Sequence, residues 1–148
     1  MIKIVTVSDR YLPVYKTEGA ACADVFARLE HSVNLKPNTR ILVPLGFSIE
    51  LMSGWELQVR GRSGHANKHG IMITNGIGTI DSDFRGEVSV LLYNSGEQEF
   101  ALYDGLSVAQ VCIQPTHKIE WQIVSSLENT VRGNKGFGST SERLIDEK

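Results

Sequence analysis

The stretch Trp55-Glu56-Leu57-Gln58-Val59-Arg60 alternates apolar and polar side chains residue by residue. This period of two is typical of a β-strand that buries one face. Similar short runs recur along the chain, separated by turn formers such as Ser53-Gly54 and Asn75-Gly76. The further predicted strands are Ile2–Val7, Arg40–Pro44, Phe47–Leu51, Ile71–Thr74, Glu87–Tyr93, Glu99–Leu102, Val108–Gln114 and Ile119–Val124. Many short strands at this spacing predict an all-β sandwich or barrel.

Helical signal is weak. The helix-forming residues of Ala20–Leu29 carry a continuous apolar run that fits no 3.6-residue period, and only Ser63–His69 suits a short helix. The 148 residues, 41% of them hydrophobic, fit one globular domain. A net charge of −2 provides no field for wrapping a polyanion, so we do not expect a nucleic-acid partner.

The two cysteines, Cys22 and Cys112, lie far apart in the chain and form no CxxC pattern. This excludes a disulfide scaffold or a thiolate zinc site and indicates a reducing compartment. The N-terminal run Ile2–Val7 meets Asp9 too early for a signal peptide, and no run approaches the ~20 apolar residues that span a bilayer. We therefore expect no membrane partner and a cytoplasmic location, or the host cytoplasm if the source is viral.

The C-terminal segment differs from the rest of the chain, because the apolar pattern stops after Val124. Residues 125–148 are polar and glycine-rich and cannot bury much surface. We expect a β-barrel domain over residues 1–124 and a flexible C-terminal tail over residues 125–148. Phe137 has no neighbours in its own segment that could cover it, so either it is incidental or the tail folds onto another surface.

Three motifs match a known site only in part. Gly133–Thr140 has the glycine spacing of a phosphate-binding loop, but Ser139 stands where the lysine is required. His65 and His69 have the spacing of a zinc pair, but Ala66 stands where the catalytic Glu would be. Asp81–Gly86 begins like a calcium loop and then places Arg85 at a ligand position. We therefore expect none of these three sites.

Two other segments have the composition of a binding site. Asn75–Glu87 is rich in glycine and then densely charged, which suits either a solvated hairpin tip or a pocket for a planar ligand. Gly61–Gly64 follows a strand with a cation, a hydroxyl and two glycines, which suits an anion or a simple turn.

Taken in order, five segments resemble the motifs of the trimeric dUTPases, the deoxyuridine triphosphate nucleotidohydrolases. They are Ala21–Val25, Gly61–Gly64 followed by Lys68–Ile71, Asn75–Glu87, Gly105–Gln110 and Arg132–Thr140. One such motif alone would be weak, but five in order with family-like gaps, from about residue 10 to 141, are very specific.

The resemblance implies a jelly-roll-like β-barrel assembled as a homotrimer. Each active site would draw residues from more than one subunit, and the tail of one subunit would close over the pocket of another. The implied reaction is the hydrolysis of dUTP to dUMP and pyrophosphate with Mg²⁺ as cofactor. This reaction would keep uracil out of DNA and supply dUMP for dTMP synthesis.

The resemblance also implies a role for individual positions. Asp81 would be the general base that activates a water for in-line attack on the α-phosphorus, and Asp24 would hold Mg²⁺ through water. Phe84, at a position that is often Tyr, would stack under the deoxyribose and exclude a 2′-hydroxyl. The other implied substrate-binding residues are Asn75, Gly78 and Ile80 for uracil, Arg62, Ser63, Gly64 and Gln110 for the phosphates, Phe137 for stacking on uracil, and Arg132, Gly138, Ser139 and Thr140 for the γ-phosphate.

Some positions depart from the family pattern. Cys22 stands where Gly is usual and Ser107 replaces a basic residue, but neither change removes a group that performs the reaction. One alternative is dCTP deaminase, which shares the fold but lacks the Phe-Gly-Ser-Thr tail. A second is a trimeric β-barrel with a regulatory or binding role, either non-catalytic or in addition to catalysis. A non-catalytic scaffold would have no need of the intact set of Asp81, Asp24, Gln110 and Phe137.

Overall fold

The computed structural model of the chain describes residues 2–136. These residues form short strands, one short α-helix and a 3₁₀ turn at Asp9–Tyr11. In chain order the elements are β1 (Lys3–Thr6), β2 (Ala23–Phe26), β3 (Val33–Leu35), β4 (Arg40–Pro44), β5 (Phe47–Glu50), β6 (Trp55–Gly61), α1 (Ser63–His69), β7 (Ile71–Ile73), β8 (Gly78–Ile80), β9 (Ser89–Asn94), β10 (Phe100–Leu102) and β11 (Ser107–Pro115).

The strands pair antiparallel in four small sheets. The largest has the order β2-β11-β6-β8, and a second has the order β4-β9-β7. Strand β1 pairs with β5, and β3 pairs with β10. Many neighbours in these sheets are distant in sequence, so the fold is the all-β architecture that the strand spacing predicts, in the jelly-roll-like form that the resemblance implies.

The hydrophobic core fills the space between the sheets. On β6, Leu57 and Val59 are buried with 3% and 1% of their surface exposed, whereas Trp55 and Arg60 lie at the surface. The predicted alternation therefore holds at Leu57 and Val59, whereas Trp55, on the same predicted face, is 37% exposed at the start of the strand. Strand β9 follows the same rule, with Val90 and Leu92 pointing into the core.

Eight of the predicted strands are confirmed, with ends that shift by one or two residues. The short helix over Ser63–His69 is confirmed as well, and it ends at Gly70, which adopts the left-handed conformation common after a helix. Within the helix-forming Ala20–Leu29, residues 23–26 form strand β2 instead. Ala23, Asp24 and Val25 are all buried, so both faces of this segment are covered and no alternation marks it as a strand.

The predicted strand Ile119–Val124 is wrong for the described chain, where residues 118–136 form no strand. An extended segment becomes a strand only when another edge satisfies its backbone groups, and no described ladder includes these residues. The chain divides into two units, one ending at His117 and one starting at Lys118. Within the second unit, Trp121, Ile123 and Leu127 are 83%, 98% and 85% exposed.

Among the described residues, no helix has the length and apolar character needed to cross a membrane.

Candidate active site

A buried carboxylate lies on β2, an edge strand of the largest sheet. Asp24 on β2 lies opposite Gln110 on β11, and Gln110 Nε2 donates to Asp24 Oδ1 at 2.9 Å. The other carboxylate oxygen faces the Arg62 guanidinium, with Nη2 at 3.3 Å from Oδ2. Asp24 is 3% exposed. The structure thus brings together three of the sequence-predicted site residues, which are up to 86 positions apart.

A bulge in β11 holds the arginine of this cluster from a second side. The register of β11 against β2 shifts between Ser107 and Ala109. The Ser107 carbonyl accepts from Arg62 Nη1 at 3.1 Å and contacts His65 Nε2 at 2.8 Å. The Ser107 hydroxyl is buried with no protein partner. Arg62 is therefore fixed between a carboxylate and a carbonyl.

Ser63 and Gly64 form the first turn of α1 directly after Arg62, and both are exposed. The first N–H groups of a helix have no acceptor within the helix, so this turn presents donors beside a guanidinium. Such an arrangement binds phosphate oxygens. His65 and His69 pack against Phe100, each with its ring centroid 5.1 Å from the phenyl ring. His65 is partly buried and His69 is exposed.

The donor set around Asp24 suits a magnesium ion that arrives with a ligand. Among the described residues there is no group of three or more metal-ligating side chains. Each carboxylate oxygen has two acceptor positions, so Asp24 can accept a hydrogen bond from a further donor, such as a water, in addition to those from Gln110 and Arg62. Mg²⁺ keeps several waters and commonly binds through one carboxylate plus substrate phosphates. The residues present therefore fit an ion held through water, and they do not form a protein cage.

A separate cavity of about 180 Å³ lies where β8 and β9 diverge into different sheets. Asn75, Gly78 and Ile80, predicted to contact a planar ring, all line it. Gly78 packs closely on β6, and a Cβ at this position would lie 3.1 Å from the Cβ of Val59. The glycine therefore allows β8 to lie tightly against β6, which sets one wall of the cavity.

The opposite wall of the cavity was missed by sequence reasoning. It comes from Leu42 on β4 and from Ser89 and Leu91 on β9. Leu42 pairs with Leu91 across the two strands. The alternation of β9 shows which residues avoid the core, but not that a cavity opens beside them.

The loop after β8 carries the exposed carboxylate of Asp81. Its backbone turns at once, because Phe84 N donates to Asp81 O at 3.1 Å. Arg85 Nη1 donates to the carbonyls of Ser82 and Phe84 at 2.7 and 2.8 Å. The Phe84 ring lies over Gly86, where a Cβ would lie 2.6 Å from Phe84 Cζ, and the residue is 42% exposed. The loop thus presents a carboxylate and an aromatic face to solvent.

Glu87 fixes the end of this loop. Its two carboxylate oxygens accept from Arg28 Nε and Nη2, both at 2.7 Å, and Oε1 also accepts from Gly46 N at 2.8 Å. The bonds from Arg28 hold the pKa of Glu87 below its usual value, against the opposing effect of burial. The same contact raises the pKa of Arg28. This two-pronged pair ties the loop to the chain that follows β2.

The carboxylate cluster and the cavity are far apart within one chain. Asp81 follows Ile80, which pairs with Leu57 of β6, whereas Asp24 lies level with Arg60 through β11. Asp81 and Asp24 are thus separated by four residues along the strands and by three strand spacings. At ~3.3 Å per residue and ~4.8 Å per strand, their backbones lie about 20 Å apart.

Arg132 is the sequence-predicted tail residue that the structure describes. Its Nε donates to the carbonyl of Lys135 at 3.0 Å, which closes a small turn within the second unit. The predicted tail contacts at Phe137, Gly138, Ser139 and Thr140 lie outside the described residues.

Comparison with known proteins gives consistent matches. The family model described as dUTPase matches residues 9–141. A deoxyuridine 5'-triphosphate nucleotidohydrolase of Treponema denticola is 49% identical over 129 residues, covering 87% of this chain and 90% of the relative. The protein of the same name from Orientia tsutsugamushi (strain Ikeda) is 43% identical over 129 residues, covering 87% of each.

Solved structures share the fold at lower identity. The Staphylococcus bacteriophage 80alpha dUTPase with dUPNHPP superposes with a TM-score of 0.80 at 20% identity, covering 95% of this chain and 98% of that one. A dUTPase mutant from phage phi11 of S. aureus, whose structure is described as revealing the coordination of a structural Mg(II) ion, gives 0.76 at 17% identity, covering 87% and 99%. At such identities the likeness supports the fold.

Proposed function

The chain belongs to the dUTPase family, and from this premise we propose that it hydrolyses dUTP to dUMP and pyrophosphate at sites shared between copies of the chain. The observation that carries the proposal is the cavity between β8 and β9, which is lined by Asn75, Gly78 and Ile80 and followed directly in the chain by the exposed carboxylate of Asp81. Removing dUTP keeps uracil out of DNA, and the dUMP formed supplies dTMP synthesis. We place the reaction in the cytoplasm, or in the host cytoplasm if the source is viral.

The cavity suits a pyrimidine. Strand β8 is the edge strand of its sheet, so its free edge can present backbone N–H and C=O groups to a ligand. Uracil has one N–H donor between two carbonyl acceptors, and such an edge complements a strand edge. Asn75 adds an amide at the rim, and its Nδ2 is 3.4 Å from the carbonyl of Ile77. The walls formed by Gly78 and Leu42 would leave little space for a 5-methyl group.

The cluster of Asp24, Arg62 and Gln110 suits the triphosphate. In this proposal Arg62, together with Ser63 and Gly64, binds phosphate oxygens through charge and helix N–H groups, and Gln110 contacts the α-phosphate region. Mg²⁺ would be held by Asp24 through water, and when bound it supplies neutralisation of the phosphate charge. The short contacts of Arg62 to Asp24 and Ser107 keep the guanidinium in place before the ligand arrives.

Asp81 supplies the base for the chemical step. Hydrolysis at a phosphorus needs a positioned water, a proton acceptor and neutralised charge, and it needs no covalent intermediate. We propose that the Asp81 carboxylate accepts the proton of the attacking water. Phe84, whose ring is held on Gly86, stacks against the sugar and leaves no room for a 2′-hydroxyl.

A second copy of the chain must complete each site. The backbones of Asp81 and Asp24 lie about 20 Å apart in one chain, which is too far for the Asp81 carboxylate to activate a water at the α-phosphorus of a nucleotide whose phosphates lie at Asp24. We therefore propose a homotrimer in which one subunit supplies Asp24, Arg62 and Gln110, and another supplies the cavity with Asp81. The tail over residues 125–148, with Phe137, would close over the site and exclude bulk water.

The first test is pyrophosphate release in the presence of Mg²⁺ from dUTP, dTTP, dCTP and UTP, measured side by side. We expect release from dUTP alone. Asp81→Asn should retain nucleotide binding and lose most turnover, and unchanged turnover would reject the base assignment. Ammonia release from dCTP would instead indicate a deaminase. If the folded protein released no pyrophosphate from any of the four nucleotides, a binding or regulatory role would be indicated.

The second test addresses the shared site. Asp24→Asn and Asp81→Asn should each be nearly inactive as homotrimers, because each lacks one half of every site. When the two variants are unfolded and refolded together in equal amounts, random assembly gives about a quarter of the sites both native carboxylates. We expect turnover to recover to about that fraction of the wild-type rate. If one chain held a complete site, the mixture would stay inactive.

A further inference from the structure

The fold brings the two cysteines of the chain together. Cys22 directly precedes β2, and Cys112 lies within β11. The register that pairs Asp24 with Gln110 and Ala23 with Val111 continues by one residue, which sets Cys22 opposite Cys112. The thiols of both residues are free. Because their separation in sequence is 90 positions, no spacing motif indicates this contact.

The geometry of this pair is that of a disulfide site. Residues directly opposite in an antiparallel pair have Cα atoms about 4.5–5.5 Å apart, and disulfides span Cα distances of about 4.4–6.8 Å. Opposite residues also point to the same face of the sheet.

We propose that Cys22 and Cys112 form a reversible disulfide that joins β2 to β11 beside the phosphate cluster and lowers turnover. Cys22 is half-buried and can be reached from solvent, whereas Cys112 is 5% exposed. Cys22 is therefore the thiol that reacts first, and Cys112 resolves the intermediate. The bond itself follows from the strand register, and its effect on turnover rests on the proposed function.

The chemical step is an exchange with a low-molecular-weight disulfide such as oxidised glutathione. The Cys22 thiolate attacks one sulfur of that disulfide, forms a mixed disulfide and releases one thiolate. The Cys112 thiolate then attacks the Cys22 sulfur and releases the second small thiol. Two protein thiols are oxidised to one disulfide, and one external disulfide is reduced to two thiols, so electrons and protons balance.

The disulfide would affect turnover through the neighbouring pair of residues on the same two strands, Asp24 and Gln110. Cys22 is two residues from Asp24 and Cys112 is two residues from Gln110, so both pairs lie on the same face. A disulfide draws its two sulfur atoms to about 2.05 Å, closer than two unbonded sulfurs can approach. Because the backbone spacing already suits the bond, the adjustment is local: the disulfide restrains the spacing and twist of β2 and β11, and the 2.9 Å bond between Gln110 and Asp24 in the neighbouring pair moves by less than an ångström.

The experiment treats the full-length protein with oxidised glutathione and follows mass, free thiols and dUTP turnover together. We expect the wild type to lose both thiols, to lose the mass of two hydrogens per chain, and to fall about tenfold in turnover, which is the order expected for a sub-ångström displacement of binding groups. Dithiothreitol should restore the turnover. Cys22→Ala should keep its reduced-state turnover and resist the treatment.

Cys112→Ala is the matched variant, because it keeps the exposed thiol and removes the resolving one. It should retain one glutathione on Cys22. A wild type that also stops at a glutathione adduct, that links two chains, or that does not react would overturn the proposal. A disulfide that forms with unchanged turnover would overturn its regulatory part. If reduced wild type fails to hydrolyse dUTP, the proposed function fails, while mass and thiol counts still decide the bond.

Discussion

Gly78 is the position at which the base cavity is most sensitive to a single added carbon. Its backbone does not lie in the left-handed region, so replacement by alanine causes no backbone strain. The added Cβ would lie 3.1 Å from the Cβ of Val59, and both atoms are fixed by their backbones. No rotamer change of Val59 relieves this contact. Strand β8 must therefore move away from β6 by a few tenths of an ångström, into the cavity.

The expected magnitude follows from two opposing effects. Replacing a strand glycine with alanine stabilises a protein by about 0.5–1 kcal/mol where the site is open. Overpacking costs about 1–3 kcal/mol. For Gly78→Ala we therefore expect a net loss of about 1 kcal/mol in the free energy of unfolding. Because a 1 Å displacement costs about a hundredfold in activity, a few tenths of an ångström should lower kcat/KM for dUTP roughly fivefold.

The matched control is Gly61→Ala on β6, where the added Cβ meets only Ile73 Cγ1, at the ordinary distance of 3.9 Å. The two variants are compared with wild type by thermal denaturation at one protein concentration and by dUTP kinetics. We expect Gly61→Ala to be as stable as wild type or more so, and Gly78→Ala to be less stable with a raised KM. Equal stability of the two variants together with an unchanged KM would refute the close packing and the assignment of the cavity to the base.

Three further results are expected. The pairing with Arg28 holds the pKa of Glu87 below 4.5, so Glu87 stabilises the fold above that pH and loses this contribution as the pH falls through its lower pKa in the folded state. Glu87→Gln should therefore lower the free energy of unfolding by about 1 kcal/mol at pH 7 and lose stability less steeply in acid unfolding. An unchanged acid profile would contradict the pairing. Truncation after Thr130 should leave assembly intact by sedimentation but lower turnover about a hundredfold, and full activity would show that the tail is dispensable. Leu42→Ala should raise the KM for dUTP about fivefold through lost apolar contact. Met72 is also exposed on its sheet but lies outside the cavity, so Met72→Ala should leave the KM unchanged. Equal effects of the two substitutions would argue against Leu42 as a cavity wall.

The strands were predictable from sequence where one face is buried and the other is exposed to solvent. The alternation of Trp55–Arg60 is a property of the sequence, and it appears in the burial of β6 at Leu57 and Val59, while Trp55 at the start of the strand is exposed. Strand β8, Gly78-Thr79-Ile80, carries no such signal, because its shape is set by close contact with Val59 rather than by a hydrophobic pattern. In Ile119–Val124 the alternation is clear but the described chain offers no partner strand, so pattern alone gave a wrong prediction.

Two segments of the site were predictable from composition, but the grouping of its residues was predictable only by resemblance. Nothing in the spacing of Asp24, Arg62 and Gln110 indicates that they meet, since their contact depends on how β2, β11 and β6 are ordered in the sheet. The wall formed by Leu42 and Ser89 lies outside all five motifs, and it needed coordinates. The contact between Cys22 and Cys112 likewise depends on register. The roles proposed for Ser139 and Thr140 stay predictions, because these residues lie outside the described chain.

The distance between Asp24 and Asp81 has a consequence for dosage and inhibition. If no single chain contains a working site, a freshly made polypeptide is inert until it meets its partners. Specific activity would then rise steeply with protein concentration near the assembly threshold and become constant above it. A compound that blocks subunit association would silence the enzyme without resembling a nucleotide. Such a compound would leave other uracil- and phosphate-binding proteins untouched.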